Sequence, residues 1–159
     1  MTKDRTSKPE TPETPETGPA KAGHDFLRSP GTIITESHFP GRAPIDAYGN
    51  GGFRFAEMSH RGGLLALPSG VYGWSASVPE DVTFERLDRV VAEADTIELL
   101  FLGMGDTGTF PTKETRQALR DAGIRFEIMS TGAAIRTFNV ILGEGRPVAA
   151  ALLPVETVR

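Results

Sequence analysis

The spacing of the apolar residues changes near Pro79, and this change constrains the fold more than any other feature of the sequence. Before Pro79, short apolar runs alternate with turns rich in glycine, which is typical of β-strands. The runs that predict strands are 45–48, 53–58, 64–67 and 71–76. Because tight turns join these runs, the sequence favours an N-terminal antiparallel β meander.

Beyond Pro79, apolar residues recur at helical spacing and alternate with strand-like runs. The predicted helices begin near residues 83, 112 and 131 and end near 94, 122 and 142, and the predicted strands are 96–102, 124–129 and 148–153. Strands that alternate with helices favour a parallel arrangement with right-handed crossovers. The sequence therefore predicts a mixed α/β fold, in which an N-terminal β meander packs with a C-terminal βαβαβ unit.

The first 23 residues differ in composition from the rest of the chain. They contain the repeat TPETPET and almost no apolar residues, which predicts a disordered tail and leaves residues 24–159 as a single domain. Bases and acids balance in this tail, so the formal net charge of -4 belongs to the domain. A mildly acidic domain without a basic run is not expected to bind nucleic acid.

Several classes of protein are excluded by residues that the chain lacks. It has no cysteine, which excludes disulfides and thiolate chemistry, and His24, His38 and His60 lack the spacing of metal ligands. No apolar run approaches the ~18 residues of a membrane span, and the N-terminus lacks the pattern of a secretory signal or a mitochondrial presequence. We expect a cytoplasmic protein without a bound metal or a transmembrane segment.

The loop Gly103–Gly108 reads GxGxxG and lies between a predicted strand and a predicted helix. Glu127 follows at about the offset of the ribose-binding acid in dinucleotide-binding folds. Three residues, however, separate Gly108 from the predicted N-cap Thr112, whereas the third glycine of the dinucleotide motif lies inside the helix. A tight structural loop is favoured, and a phosphate- or nucleotide-bearing ligand, with oxidoreductase chemistry, stays an alternative.

The helix that begins near Thr131 offers a second candidate surface. Free amides and the helix dipole favour an anion at its start, and Arg136 and Asn139 project from the edge opposite its apolar stripe. This edge lies beside the end of the strand that leads into the glycine loop, where parallel sheets bind ligands. The alternative is a capped helix with a solvated face.

A string of residues in the C-terminal half resembles a known family. Its motifs are Gly103-x-Gly105, Pro111, Leu119 with Gly123-Ile124, Glu127-x-Met129-x-Thr131-x-Ala133-Ala134, Arg136-Thr137-x-Asn139 and Glu144-x-Arg146-x-Val148-Ala149-Ala150. In these motifs the chain is similar to mitochondrial complex I assembly factor three and its bacterial and archaeal relatives, the Mth938-like domain. The resemblance covers residues 63–154, and Phe138 stands where relatives more often have Tyr.

The resemblance implies a three-layer β/β/α fold with no demonstrated reaction and no cofactor. It implies a non-enzymatic interaction protein that assists assembly of the respiratory NADH:ubiquinone oxidoreductase (complex I) or a related membrane complex. The implied partners are complex I subunits or other assembly factors, and the implied location is cytoplasmic, peripheral to the inner membrane. The matching motif residues Gly103, Gly105, Thr131, Arg136 and Asn139 form the expected binding surface.

Overall fold

Two β-sheets and three α-helices make up residues 37–156, the part of the chain that the computed structural model describes. The strands are β1 (Ser37–Pro40), β2 (Ala47–Gly49), β3 (Gly52–Phe55), β4 (Met58–Arg61), β5 (Gly63–Leu67), β6 (Gly70–Trp74), β7 (Leu99–Gly103), β8 (Phe126–Met129) and β9 (Val148–Leu152). The helices are α1 (Asp88–Ala92), α2 (Lys113–Asp121) and α3 (Thr131–Leu142). The predicted tail, residues 1–23, lies outside the described residues.

The larger sheet has six strands in the order β1-β6-β5-β9-β7-β8. Strand β7 pairs in parallel with both β8 and β9, and helices α2 and α3 make the two connections, as the sequence predicts. Strand β9 also pairs antiparallel with β5, which joins the β5–β6 hairpin to the parallel strands. The fold is therefore mixed α/β, with one sheet that contains both kinds of pairing.

The predicted N-terminal meander is divided between two sheets. Strands β2, β3 and β4 form a separate antiparallel sheet, whereas β5 and β6 belong to the larger sheet. The predicted strand 53–58 is in fact the end of β3, a two-residue turn at Ala56-Glu57, and the start of β4. Both turn residues have positive φ, 49° and 63°, a conformation that hairpins usually assign to Asn or Gly. The turn was missed because neither residue signals it.

Apolar side chains form a core on each face of the larger sheet. On one face, side chains of β5, β7 and β9 pack against buried residues of α1, α2 and the segment before α1, among them Leu87, Val90 and Leu119. On the other face, the alternate side chains of the same strands pack against α3 and the smaller sheet, which contributes Phe53 and Phe55. The larger sheet is thus the middle of three layers.

The two longer helices agree with their predicted bounds and caps. Thr112 accepts a hydrogen bond from the Thr115 amide at the start of α2, and Ser130 accepts one from the Ala133 amide at the start of α3. Gly123 follows α2 with a φ of +82°, which favours glycine.

The prediction of one regular α-helix at 83–94 is wrong, because the structure divides this segment into shorter pieces. It consists of a 3-10 turn at Glu85–Leu87, the five-residue α1, and a 3-10 turn at Ala94–Thr96. The indole N–H of Trp74 donates to the Arg86 carbonyl at 2.6 Å, next to Leu87, whose backbone leaves the helical region. A side-chain donor on this carbonyl competes with the α-helical hydrogen bond, which explains the interruption.

Candidate functional site

Strand β7, the glycine loop and the start of α3 meet at the carboxyl end of the parallel strands. Gly103 ends β7 and is buried there. A Cβ atom on Gly103 would lie 2.8 Å from Leu152 Cδ2 and 3.0 Å from Thr131 Cα, closer than such atoms pack. Gly103 therefore lets α3 approach the sheet closely, and its role is to position the first turn of α3.

Thr131 holds three segments together at this junction. Its side chain is fully buried, and its hydroxyl donates to the Leu153 carbonyl at 2.7 Å and accepts from the Gly105 amide at 3.0 Å. The Thr131 amide in turn donates to the Gly105 carbonyl at 2.8 Å. Gly105 has a φ of +88°, a conformation that strains other residues. The Thr131 hydroxyl is thus fully used inside the fold.

The glycine loop packs on α3 rather than opening towards α2 as a phosphate-binding loop. The amides of Met104 and Gly105 already donate to the Met129 carbonyl and the Thr131 hydroxyl. Gly108 lies against the cap of α3, since a Cβ atom there would be 3.1 Å from the Ser130 amide nitrogen. These two amides point into the protein and are therefore not available to the pyrophosphate that a dinucleotide fingerprint binds.

Asn139 also makes contacts inside the fold. Its side-chain amide donates to the Ile45 carbonyl, and its side-chain oxygen accepts from the Ile45 amide, both at 2.9 Å. This pair of bonds imitates a strand ladder and fixes the segment before β2 against α3. The sequence predicts Asn139 on the same helix edge as Arg136, but in the structure its side chain is hydrogen-bonded to the Ile45 backbone.

Arg136 is the member of the predicted set whose charged group faces solvent. It lines a small pocket of about 90 Å³ together with Tyr48, Asp106, Gly132 and Val155, among others. The Tyr48 hydroxyl lies directly over Gly132, 2.3 Å from where a Cβ atom would stand. Within residues 37–156, no hydrogen bond or ion pair engages the Arg136 guanidinium. Arg136 is therefore available for an external partner.

Two wider grooves lie beside this pocket and share residues with it. One, of about 640 Å³, follows the smaller sheet and is bordered by Tyr48, Arg54, Arg61 and Glu156. The other, of about 550 Å³, runs between the glycine loop and the segment 153–156 that follows β9, and it again includes Arg61 and Glu156. Tyr48 and the segment 153–156 connect the three concave regions into one surface at the carboxyl end of β7.

His60 is the buried histidine of the described chain, at the wall of the larger groove. Its Nε2 lies 2.8 Å from the Gly63 carbonyl. Burial lowers the pKa of His60, and the hydrogen bond to Gly63 opposes part of this effect. The imidazole is therefore neutral near neutral pH. Between residues 37 and 156, no three side chains of the metal-binding types come together.

The structure gives the five predicted residues different surroundings. Gly103 and Thr131 are buried at the junction, Gly105 joins this junction to the pocket that Arg136 lines, and Asn139 contacts the backbone further along α3. Tyr48, Asp106 and Val155 also line the pocket. Asp106 lies in the loop Gly103–Gly108 that the sequence singles out, whereas sequence reasoning missed Tyr48 and Val155. They come from distant parts of the chain, and the one local signal was Gly132, a glycine within a helix that leaves room for the Tyr48 hydroxyl.

Solved structures with this fold come from several bacteria. A crystal structure described as an outer membrane protein from Bartonella henselae is 54% identical, with a TM-score of 0.71, over 75% of this chain and all of that chain. A solution structure from Bordetella pertussis, described as a Mth938-like domain, is 25% identical with a TM-score of 0.61, over 73% of this chain and 89% of that one. The architecture described above is therefore the mixed α/β fold of the Mth938-like domains.

Sequence comparison then gives the family. The model of the family described as "Protein of unknown function (DUF498/DUF598)" matches residues 45–153, and this chain belongs to that family. An uncharacterised protein of Rhodobacter capsulatus is 41% identical over 75% of this chain and 90% of its own length. NADH dehydrogenase [ubiquinone] 1 alpha subcomplex assembly factor 3 of mouse is 31% identical over 76% of this chain and 65% of its own. The human factor is 32% identical over 69% of this chain and 60% of its own.

The resemblance to complex I assembly factor three is confirmed at the level of the family, and it supports an assembly role at that level. The match spans slightly less than two thirds of the mammalian factors, so it covers the shared domain and not their whole length. Across residues 37–156 of this chain, no helix is both long and apolar enough to span a membrane.

Proposed function

We propose that this chain is a non-enzymatic interaction protein that assists assembly of the respiratory NADH:ubiquinone oxidoreductase (complex I) or a related membrane complex. The observation that carries the proposal is the relationship to the mouse assembly factor, which extends over 76% of this chain. The partners are complex I subunits or other assembly factors, met at the cytoplasmic surface of the inner membrane. No ligand chemistry is needed for this role.

The contact surface that we assign centres on Arg136. Arginine is enriched in the residues that dominate binding energy in interfaces, because its planar group donates several hydrogen bonds at once. Tyr48 stands beside it over Gly132, and tyrosine is enriched in the same positions. The grooves on either side offer concave surface for a partner segment.

The buried junction supports this surface without touching the partner. Gly103 allows the close approach of α3, and the Thr131 hydroxyl joins the start of α3 to Gly105 and Leu153. These contacts fix the first turn of α3. Arg136 lies in the next turn of the same helix, so its position depends on them. We therefore assign Arg136 as the contact residue with Gly105 at the wall of its pocket, and Gly103, Thr131 and Asn139 as residues that position α3.

The test is affinity purification of the tagged full-length chain from gently solubilised cells of its own source, with mass spectrometry of the retained proteins. We expect enrichment of NADH dehydrogenase subunits or membrane-insertion factors, and its reduction by Arg136→Ala. Arg42→Ala is a matched control, because Arg42 is an exposed arginine that contacts the Gly145 carbonyl beyond the other end of α3. If Arg136→Ala retains the partners at the wild-type level, Arg136 is not part of the contact surface and the proposed surface is refuted.

A further inference from the structure

Among residues 37–156, the outer edge of β8 is an unpaired edge of the larger sheet. Strand β8 is the last in the strand order and, within these residues, pairs with β7 alone. The Leu100 amide of β7 donates to the Arg125 carbonyl at 2.9 Å, which sets the alternation along the ladder. Because alternate residues of a strand face opposite neighbours, Phe126 and Ile128 direct their amides and carbonyls away from the sheet. Within the described chain, no turn, loop or cap hydrogen bond engages these backbone groups.

Two opposite charges lie beside this edge, one on each side of Phe126. Arg125 and Glu127 flank Phe126, both are exposed, and both lie on the same side of the strand. Suppose that two copies pair antiparallel about a two-fold axis at Phe126. Arg125 of each copy then lies opposite Glu127 of the other, so that two ion pairs form.

The hydrogen-bond pattern selects this register. With the axis at Phe126, its outward amide and carbonyl meet those of the second copy. Arg125 and Glu127 then occupy a non-hydrogen-bonded pair, in which opposite side chains lie closest. An axis at either charged residue would instead place that residue opposite its own copy and join like charges.

We propose that the β8 edge docks a second copy of this chain, so that the two six-stranded sheets become one continuous sheet. The charges that usually protect an exposed edge by repulsion are here arranged to attract an identical edge. The Arg120 guanidinium lies over the Phe126 ring, 5.6 Å from its centre. The contact is short, which predicts a weak and reversible dimer. This inference is independent of the assembly role.

Sedimentation velocity of the full-length chain, over low micromolar to near-millimolar concentrations, tests the dimer. The wild-type chain is expected to dimerise reversibly, and Glu127→Arg to raise the dimer Kd by about tenfold, because each ion pair becomes a like-charge pair. The double variant Arg125→Glu with Glu127→Arg restores the two ion pairs in reverse and is expected to return the Kd to near the wild-type value. Glu114→Arg, the same charge change on α2, is the matched control and leaves the Kd unchanged.

Glu127→Arg is preferred to a single substitution of Arg125, because Arg125 also interacts with the carboxylate of Glu98. The pKa of Glu98 is lowered mainly by its hydrogen bond to Arg146 and also by the charge of Arg125. Far-UV circular dichroism checks that every variant is folded. A wild-type chain that stays monomeric throughout, or a folded double variant that dimerises as weakly as Glu127→Arg, would overturn the proposal.

Discussion

Replacing Thr131 by valine tests whether the buried junction holds the first turn of α3. The substitution keeps the volume and removes only the hydroxyl, which bonds the Leu153 carbonyl at 2.7 Å and the Gly105 amide at 3.0 Å. The Leu153 carbonyl lies in a buried region and loses this partner, at a cost of about 1–3 kcal/mol. The Gly105 amide is only partly buried and can meet water, so its lost bond costs about 0.5–1.5 kcal/mol.

The summed loss is about 1.5–4.5 kcal/mol in the free energy of unfolding, a large share of the ~5–15 kcal/mol of a typical domain. Urea unfolding followed by far-UV circular dichroism measures it, with the slope m compared between variants. Thr131→Ser is the control, because it keeps the hydroxyl and loses one methyl group, at about 1 kcal/mol. If Thr131→Val unfolds within about 0.5 kcal/mol of the wild-type chain, the junction does not act as described.

Three further substitutions or conditions test other parts of the account. Asn139→Leu removes both bonds to the Ile45 backbone and should lower the unfolding free energy by about 1–3 kcal/mol in the same urea assay; an unchanged midpoint would contradict the anchor. Gly103→Ala forces a Cβ within 3.0 Å of the Thr131 backbone, so we expect a loss of about 1–3 kcal/mol by overpacking, and a gain in stability would refute the close approach. Burial lowers the pKa of His60 from its ordinary value of 6.5, so the unfolded chain binds more protons than the folded chain as the pH falls below 6.5. The contribution of His60 to stability is therefore present above pH 6.5 and is lost as the pH falls from there through the lowered pKa of the folded chain. Urea midpoints between neutral and mildly acidic pH should fall less steeply in His60→Gln than in the wild-type chain.

The C-terminal half of the fold could be predicted closely because its signals are local. Cap residues Thr112 and Ser130 and the glycine at 123 fix the helix ends, and these residues act through hydrogen bonds and φ values within one turn. Strands β7 and β9 are mostly buried apolar runs, which predict parallel pairing. The order of the strands in the sheet was not predicted, because it depends on contacts between distant segments.

The N-terminal half shows where local signals fail. The hairpin between β3 and β4 turns at Ala56-Glu57, whose positive φ values are imposed by strand pairing against local preference. The assignment of β5 to the larger sheet follows from its pairing with β9, in which Leu64 lies opposite Leu152, and β6 follows through its hairpin with β5. Tertiary packing decides such choices, and periodicity alone cannot reveal them.

The sequence names residues of the candidate site but does not say what they contact. Spacing on a helix predicts Arg136 and Asn139 on one edge, but it carries no information on hydrogen-bond partners. Asn139 faces the Ile45 backbone, a segment 94 residues away, and that contact separates it from Arg136. The neighbours of Arg136, among them Tyr48 and Val155, come together only when the chain folds.

Complementation in the source organism tests whether this chain assists assembly of complex I. Cells that lack this chain receive the wild-type sequence, Arg136→Ala or Arg42→Ala, each at matched abundance, and assembled complex I is measured by native gel electrophoresis with in-gel NADH dehydrogenase activity. We expect less assembled complex I in the deletion strain, recovery with the wild-type and Arg42→Ala chains, and incomplete recovery with Arg136→Ala. A deletion strain with the normal amount of complex I, and of every other membrane complex resolved on the gel, would refute the assembly role.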